Sequence, residues 1–237
     1  MPKKLVAFGA GKQIEAHLDL FIRHFPSISH CTIVNRTINL RSNSLRETLK
    51  ARFNHINLHV ISSLPGNKEE NRHMEDAVRS ADVIICATSS TVPLFSSSWV
   101  RTGAHVILIG SFTPVMREVE RELVLRAVPQ NSSPNNKESP ACLLVDFRKA
   151  CLEEAGELIE AELEPHQVTE IGELVAKDKN GNVQLVMRND HPCKDGYDGP
   201  ITMFKSVGIG LQDVAIACAV VEKAMSGGNG TGIEDYD

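Results

Sequence analysis

Two glycines separated by one residue are the first feature of this sequence that could do chemistry. Gly9 and Gly11 lie in the stretch FGAGKQIEAHL, directly after the apolar run 5–8 and directly before a segment of helical period. In this position the first glycine permits a tight turn and the second lets a diphosphate approach the backbone. Free amides at the start of the helix attract the phosphates. The pattern predicts a dinucleotide site formed by Gly9, Ala10, Gly11, Lys12 and Gln13.

The glycine pattern is incomplete. Its third glycine would fall at Ile14, so the alternative interpretation is a plain turn between a strand and a helix. We prefer the cofactor interpretation because the turn lies inside an alternation of strands and helices.

The end of the second predicted strand indicates which dinucleotide is expected. NAD sites usually carry an acidic residue there, which accepts hydrogen bonds from the ribose hydroxyls. This sequence instead reads VNRT, which supplies Asn35, Arg36 and Thr37, with Arg41 close behind. A guanidinium suits a 2′-phosphate. We therefore expect NADP(H), with NAD(H) as the alternative cofactor and a solvated loop arginine as the alternative interpretation of Arg36.

A hydroxyl-rich stretch follows the fourth predicted strand. Ala87, Thr88, Ser89 and Ser90 come where the crevice of such a sheet opens, and they could line the nicotinamide ribose. The alternative is that these hydroxyls satisfy the backbone of their own loop.

These residues must be positioned by strands that alternate with helices. Apolar runs at 5–8, 31–34, 58–61, 82–87, 105–110 and 142–147 alternate with helical periods at 13–24, 44–53, 74–79 and 117–128. Continuous rather than alternating hydrophobicity favours parallel strands that are covered on both faces. The expected fold is a doubly wound α/β sheet, mostly parallel, with helices on both faces. It occupies residues 1–225, with a flexible loop at 129–141, a last strand and helix at 201–225 and a flexible tail at 226–237.

Composition excludes several classes of protein. The 237 residues carry a net charge of −5 and only 5% aromatic side chains, so we expect no nucleic-acid partner. No apolar run is long enough for a membrane span, and the N-terminus lacks the pattern of a signal peptide. The six cysteines form no CxxC pair, so neither a metal site nor a disulfide framework is expected. We expect a cytoplasmic protein.

Taken together, these motifs resemble the ornithine cyclodeaminase/mu-crystallin family. The matching stretches are GAGKQIEAHL, VNRT, ADVIICATSSTVPLF, GAHVILIGSFTPVMREVE, VDFRKACLEEAGEL, IGEL and ITMFKSVGIGLQD, in the order of the family. The resemblance implies a Rossmann domain that follows a substrate-binding and dimerisation half. Because the glycine turn lies at Gly9, we expect that N-terminal half to be absent from this chain.

The resemblance also implies further site residues. Gly110 would shape the loop after the fifth strand, and Ser206 and Val207 would lie beside the nicotinamide. Asp213 is the one catalytic candidate, with a plain helix-surface acid as the alternative. The cyclodeaminases carry a catalytic aspartate in the loop after the fifth strand, and this sequence has Phe112 at that position. Phenylalanine cannot transfer a proton, which disfavours ornithine chemistry.

Three functions follow from this resemblance. The first is an NADP-dependent oxidoreductase of the ketimine or imine reductase type, or an amino-acid dehydrogenase, acting on a small-molecule imine or amino acid. The second is an ornithine cyclodeaminase. The third is a non-catalytic dinucleotide-binding remnant or interaction protein, since the substrate half is expected to be absent. The family implies a homodimer formed largely through that half, so the oligomeric state stays open.

Overall fold

Alternate residues of the first strand enter two different cores, which places the sheet between two layers of helices. In the computed structural model this strand, β1 (Lys4–Phe8), sends Leu5 and Ala7 into one apolar cluster and Val6 and Phe8 into another. The structure describes residues 1–64, 66, 68–129, 141–180, 182–185 and 196–231.

The described part of the chain alternates strands and helices over most of its length. The other strands are β2 (His30–Asn35), β3 (Asn57–Ser62), β4 (Val83–Cys86), β5 (His105–Leu108), β6 (Cys142–Val145), β7 (Thr169–Glu170), β8 (Val175–Lys177), β9 (Val183–Leu185) and β10 (Thr202–Lys205). The helices are α1 (Lys12–His24), α2 (Leu40–Arg52), α3 (Lys68–Ser80), α4 (Arg121–Ala127), α5 (Arg148–Glu154), α6 (Gly156–Glu160) and α7 (Gly210–Ser226).

Eight strands form one sheet in the order β3-β2-β1-β4-β5-β10-β6-β7. Every neighbouring pair in it is parallel, so the carboxyl ends of all eight strands meet at one edge. From β1 the chain builds outward through β2 and β3, and it then returns to place β4 on the other side of β1. This reversal opens a crevice between β1 and β4 at the carboxyl edge. The predicted doubly wound α/β fold is confirmed.

Helices cover both faces of this sheet. On one face, Ile14 and Leu18 of α1 pack with Leu49 of α2, and on the other, Val78 of α3 packs with Leu123 of α4. All five side chains are completely buried. Burial of each contributes about 1.5–3 kcal/mol, so packing on both faces stabilises the sheet beneath the crevice.

Two predicted boundaries were wrong. Helix α3 begins at Lys68, before the predicted helical segment at 74–79, because Glu69 and Glu70 stabilise its first turn through the helix dipole. The predicted helix at 117–128 begins only at Arg121. The residues before it are not helical, and they send the side chain of Glu118 into the interior. The antiparallel hairpin of β8 and β9 was not predicted.

The chain divides into two compact units, Met1–Val207 and Gly208–Asp237. The first contains the sheet, and the second contains α7, which has Asp213 in its first turn and Lys223 in its last. Of the predicted loop and tail, residues 130–140 and 232–237 lie outside the described residues. No helix in the described ranges has the length and apolar character that crossing a membrane requires.

Candidate dinucleotide site

A groove of about 410 Å³ lies at the carboxyl edge of the sheet, where β1 and β4 diverge. The glycine turn after β1, the end of β2 and the loop after β4 form its walls. It brings together most of the predicted cofactor-binding residues, namely Gly9, Ala10, Gly11, Asn35, Arg36, Thr37, Ala87, Thr88, Ser89 and Ser90.

The glycine turn has the geometry that a phosphate site needs. Gly9 has a φ of 110°, and its amide donates a hydrogen bond to the carbonyl of Val34 at 2.8 Å. A side chain at Gly9 would meet the carbonyl oxygen of Ala87 at 2.8 Å, so the position requires glycine.

Gly11 has a different role in the same turn. It precedes the first turn of α1 in an extended conformation, and its own position provides no side chain to cap the helix. A Cβ added to Gly11 would meet nothing within 4 Å, so the space above the start of the helix is open. An uncapped helix N-terminus beside open space fits a diphosphate.

Two arginines stand at the end of the groove beside β2. Arg36 and Arg41 are exposed, and neither forms an ion pair with the residues that the structure describes. The described lining of the groove includes no acidic side chain. This end therefore has an uncompensated positive charge, which favours an anion over a ribose hydroxyl.

Backbone contacts fix the segment that carries these arginines. Asn35 donates from Nδ2 to the carbonyl of Thr37 at 2.8 Å, and the carbonyl of Arg36 accepts from Ser62 Oγ at 3.0 Å. The amide of Ser42 donates to Asn39 Oδ1 at 3.1 Å, and Ser42 Oγ accepts from the Asn39 amide at 3.0 Å. This reciprocal cap begins α2 and places Arg41 in its first turn.

A second cavity adjoins this end of the groove. It has a volume of about 400 Å³ and shares Ala10, Gly11 and Arg41 with the groove. Its other polar lining residues are Lys12 and Glu15 of α1 and Ser44 and Thr48 of α2, so the arginine end of the groove continues into a further polar space.

Two of the three predicted hydroxyl groups after β4 have partners within the protein. Thr88 donates its amide and its hydroxyl to Glu118 Oε1, at 2.7 and 2.8 Å, and the hydroxyl of Ser90 donates to the carbonyl of Val92 at 2.6 Å. Ser89 is exposed in the groove. Ser90 thus makes the loop contact that was weighed as the alternative, whereas Thr88 bonds to an acid 30 positions away, and the loop itself lines the groove.

Glu118 is a structural element of the site that sequence reasoning missed. Its side chain is completely buried, and Oε2 accepts a hydrogen bond from the amide of Gly110 at 2.8 Å. Burial raises the pKa of Glu118, and the bonds from Thr88 and Gly110 oppose that rise. The sequence signal was only an acid between Arg117 and Val119, which also suited the start of a helix.

A buried ion pair lies on the face of the sheet that also carries Leu108 and Val145. Lys205 ends β10, its Nζ lies 3.2 Å from Glu157 Oε1, and both side chains are completely buried. Among the described residues neither charged group has a well-aligned hydrogen-bond partner. Register aligns Lys205 with Leu108 on one neighbouring strand and Val145 on the other, so a lysine occupies an otherwise apolar row. In the sequence, this pair was indicated only by a lysine at the end of an apolar strand.

The remaining predicted residues do not line the groove. Lys12 is exposed and pairs with Glu15 at 2.7 Å beside the adjoining cavity, and Gln13 is exposed in the first turn of α1. Gly110 lies behind Thr88 in the next loop.

The predicted residues after β10 have structural partners or lie in the second unit. The hydroxyl of Ser206 donates to Asp146 Oδ2 at 2.6 Å, and Val207 packs against the core. Asp213 lies in the second compact unit, in α7.

Comparison with known proteins identifies the family of this chain. The sequence profile described as the ornithine cyclodeaminase/mu-crystallin family matches residues 2–228. This chain belongs to the ornithine cyclodeaminase/mu-crystallin family. Within that family, the ketimine reductase mu-crystallin of Rattus norvegicus is 29% identical over 223 residues, which cover 94% of this chain and 56% of the relative. The Δ1-pyrroline-2-carboxylate reductase of Bacillus cereus is 30% identical over 164 residues, which cover 67% of this chain and 42% of that protein.

A solved structure shares the fold of this family member. The Δ1-pyrroline-2-carboxylate reductase of Thermococcus litoralis, solved in complex with NADH and L-proline, matches with a TM-score of 0.71 at 23% identity. The match covers 98% of this chain and 61% of that one. The matches therefore cover between 42% and 61% of the length of these three proteins.

Proposed function

We propose that this chain binds NADP(H) in the groove and serves the reduction of a C=N bond in a small-molecule imine. The observation that carries the proposal is the pairing of an uncapped helix start at Gly11 with two arginines, Arg36 and Arg41, in a groove whose described lining is free of acids. Family membership and the names of the relatives, a ketimine reductase and a pyrroline-2-carboxylate reductase, support the reaction type.

Each wall of the groove has a role in this proposal. The first amides of α1 hold the diphosphate, and Gly9 allows the chain to turn tightly enough to present them. Arg36 and Arg41 bind the 2′-phosphate, and the loop at Thr88 supports the nicotinamide ribose. When bound, NADPH would supply the hydride for the imine carbon, so the task of the chain is to orient the cofactor and fix its charges.

Reduction is favoured over cyclodeamination by the loop after β5. The resemblance implies a catalytic aspartate there in cyclodeaminases, and Phe112 occupies the position with 51% of its surface exposed. A phenyl ring has no proton to transfer. The substrate class proposed is a cyclic or open imine next to a carboxylate, because one relative is named for a ketimine and another for pyrroline-2-carboxylate, a cyclic imine with a carboxylate.

A cofactor titration tests the binding part of the proposal. The enhanced fluorescence of NADPH and NADH is measured for the unchanged protein, for Arg36→Ala and for Arg46→Ala. Arg46 is the matched control because it lies on the neighbouring helix, pairs with Glu47 at 3.0 Å and does not line the groove. Because Arg36→Ala loses one charge-assisted contact, its affinity for NADPH should fall about tenfold or more, and its affinity for NADH should stay unchanged. Equal weakening of both cofactors, or no saturable signal, would contradict the proposal.

An activity assay tests the reaction type. Consumption of NADPH is followed at 340 nm with Δ1-pyrroline-2-carboxylate as a cyclic imine carboxylate. In parallel, the formation of proline from ornithine is measured by chromatography. Imine-dependent oxidation of NADPH is the expected result. Proline formed from ornithine would overturn the argument from Phe112.

A further inference from the structure

One buried carboxylate joins two loops at the carboxyl edge of the sheet. Glu118 Oε1 accepts the amide and the hydroxyl of Thr88 at 2.7 and 2.8 Å, and Oε2 accepts the amide of Gly110 at 2.8 Å. Thr88 follows β4, and Gly110 follows β5. Both oxygens of Glu118 are therefore used to hold two loops that come from neighbouring strands.

The two loops are in direct backbone contact at this point. A Cβ added to Gly110 would lie 1.8 Å from the carbonyl oxygen of Thr88 and 2.6 Å from Glu118 Oε1. No side chain could be placed there without separating the loops. Gly110 thus allows the two loops to approach closely, and the buried carboxylate of Glu118 holds them together.

The loops held by Glu118 lie on one side of the crevice only. In a doubly wound sheet the two nucleotide halves lie on opposite sides of the point where the strand order reverses. The Gly9 turn and Arg36 belong to the β1 and β2 side, and Thr88 and Gly110 belong to the β4 and β5 side. A change at Glu118 should therefore act on one half of a dinucleotide.

We propose that Glu118 is a positioning residue for the nicotinamide half of the cofactor, acting through Thr88 and Gly110. This inference rests on the proposed binding of NADP(H). Glu118 does not line the groove, so its effect passes through the loop after β4, which lines the groove and has Gly110 directly behind it. Loss of the carboxylate leaves two backbone amides without their acceptor and lets the loops move apart.

Replacement of Glu118 by glutamine tests the inference with two ligands. Glutamine keeps the size of the side chain but turns an NH₂ group toward one of the three donors. NADPH contains the nicotinamide half, whereas 2′,5′-ADP contains only the adenosine half with its phosphates. In a calorimetric titration, we expect Glu118→Gln to lower the affinity for NADPH about tenfold or more and to change the affinity for 2′,5′-ADP less than twofold. The control is Glu122→Gln, an exposed acid four residues away, for which neither affinity should change.

A second pair of variants decides the matter if Glu118→Gln fails to fold. Thr88→Val removes the hydroxyl that binds Glu118 and keeps both the side-chain shape and the amide. Thr88→Ser keeps the hydroxyl. We expect Thr88→Val to bind NADPH more weakly than the unchanged protein and 2′,5′-ADP equally well. Thr88→Ser should bind NADPH as the unchanged protein does, and the two variants should have similar melting temperatures.

The outcomes separate this inference from the function on which it rests. If the unchanged protein binds neither ligand, the proposed function fails and the positioning role falls with it. If it binds both, and the variants weaken both equally or neither, the dinucleotide site stands and the role of Glu118 is overturned. Selective loss of NADPH affinity supports the inference, because general destabilisation would affect both ligands.

Discussion

The two sides of the crevice are built in opposite ways. On the β1 and β2 side, the groove is lined by the glycine turn and by two exposed arginines, Arg36 and Arg41. On the β4 and β5 side, the completely buried Glu118 holds the loops, and a second set of buried charges, Lys205 with Glu157, lies at the end of the neighbouring β10. The first side can change its ligand preference without disturbing the core. The second side couples the shape of the groove to the stability of the fold.

The largest effect should come from breaking the buried pair. Lys205→Met removes the ammonium and leaves Glu157 buried without a counter-charge 3.2 Å away. Removing one partner of a buried ion pair destabilises a protein by about 3–5 kcal/mol. Urea denaturation followed by circular dichroism measures the loss in the free energy of unfolding.

The double variant Lys205→Met with Glu157→Leu is the control. It removes both charges, so it should recover most of the lost stability. If the single and double variants are equally unstable, the packing of the lysine stem rather than its charge holds this side together.

The two glycines of the turn should separate stability from binding. Gly9→Ala puts a side chain at a φ of 110° and against the carbonyl of Ala87, which should destabilise the fold by about 1–3 kcal/mol and abolish NADPH binding. Gly11→Ala places its methyl group in open space, so the melting temperature should stay unchanged. NADPH affinity should still fall about tenfold or more, because the methyl group competes with the diphosphate. If the two variants lose equal stability, the distinction between these glycines is wrong.

The sequence predicted the exposed side of the crevice better than the buried side. The turn at Gly9 and the basic end at Arg36 are local patterns, since their meaning depends on residues adjacent in the chain. The contact of Glu118 with Thr88 joins residues 30 positions apart. No local pattern distinguishes that acid from one that begins a helix, and the sequence indeed suggested a helix there.

The order of the strands shows the same limit. Alternating apolar runs and helical periods predicted a doubly wound sheet, because continuous hydrophobicity implies burial on both faces. The position of β10 between β5 and β6 did not follow from this pattern. Insertion of a late strand depends on long-range pairing, and it is this insertion that brings Lys205 into the row beside Leu108.

Added salt should have a smaller effect, and it should act on the β1 and β2 side of the crevice. The charges of Arg36 and Arg41 are exposed, so dissolved ions screen their attraction for a 2′-phosphate. Raising the salt concentration from about 0.05 M to about 0.5 M should lower the affinity for NADPH several-fold and the affinity for NADH less. Arg36→Ala with Arg41→Ala should remove the difference between the two cofactors in fluorescence titrations. A salt response equal for NADPH and NADH would show that the arginines do not bind the extra phosphate.

The smallest effect at neutral pH should come from His105, at the opposite ends of the strands from the crevice. Its Nδ1 lies 2.8 Å from Thr202 Oγ1, and burial lowers the pKa of His105 from 6.5 to about 4. Between these values the unfolded chain binds a proton that the folded chain does not, so stability falls as the pH falls from 6.5 towards 4.

His105→Gln should flatten this loss of stability in urea denaturations between pH 4 and 8. At pH 7.5 it should change the free energy of unfolding by no more than about 1 kcal/mol, the worth of one neutral hydrogen bond. The matched control is His59→Gln, the same replacement at an exposed position on β3. NADPH affinity should be the same in both variants, because neither residue belongs to either side of the crevice. A change in affinity with His105→Gln would show that the two edges of the sheet are coupled and that the division of the crevice into independent sides is too simple.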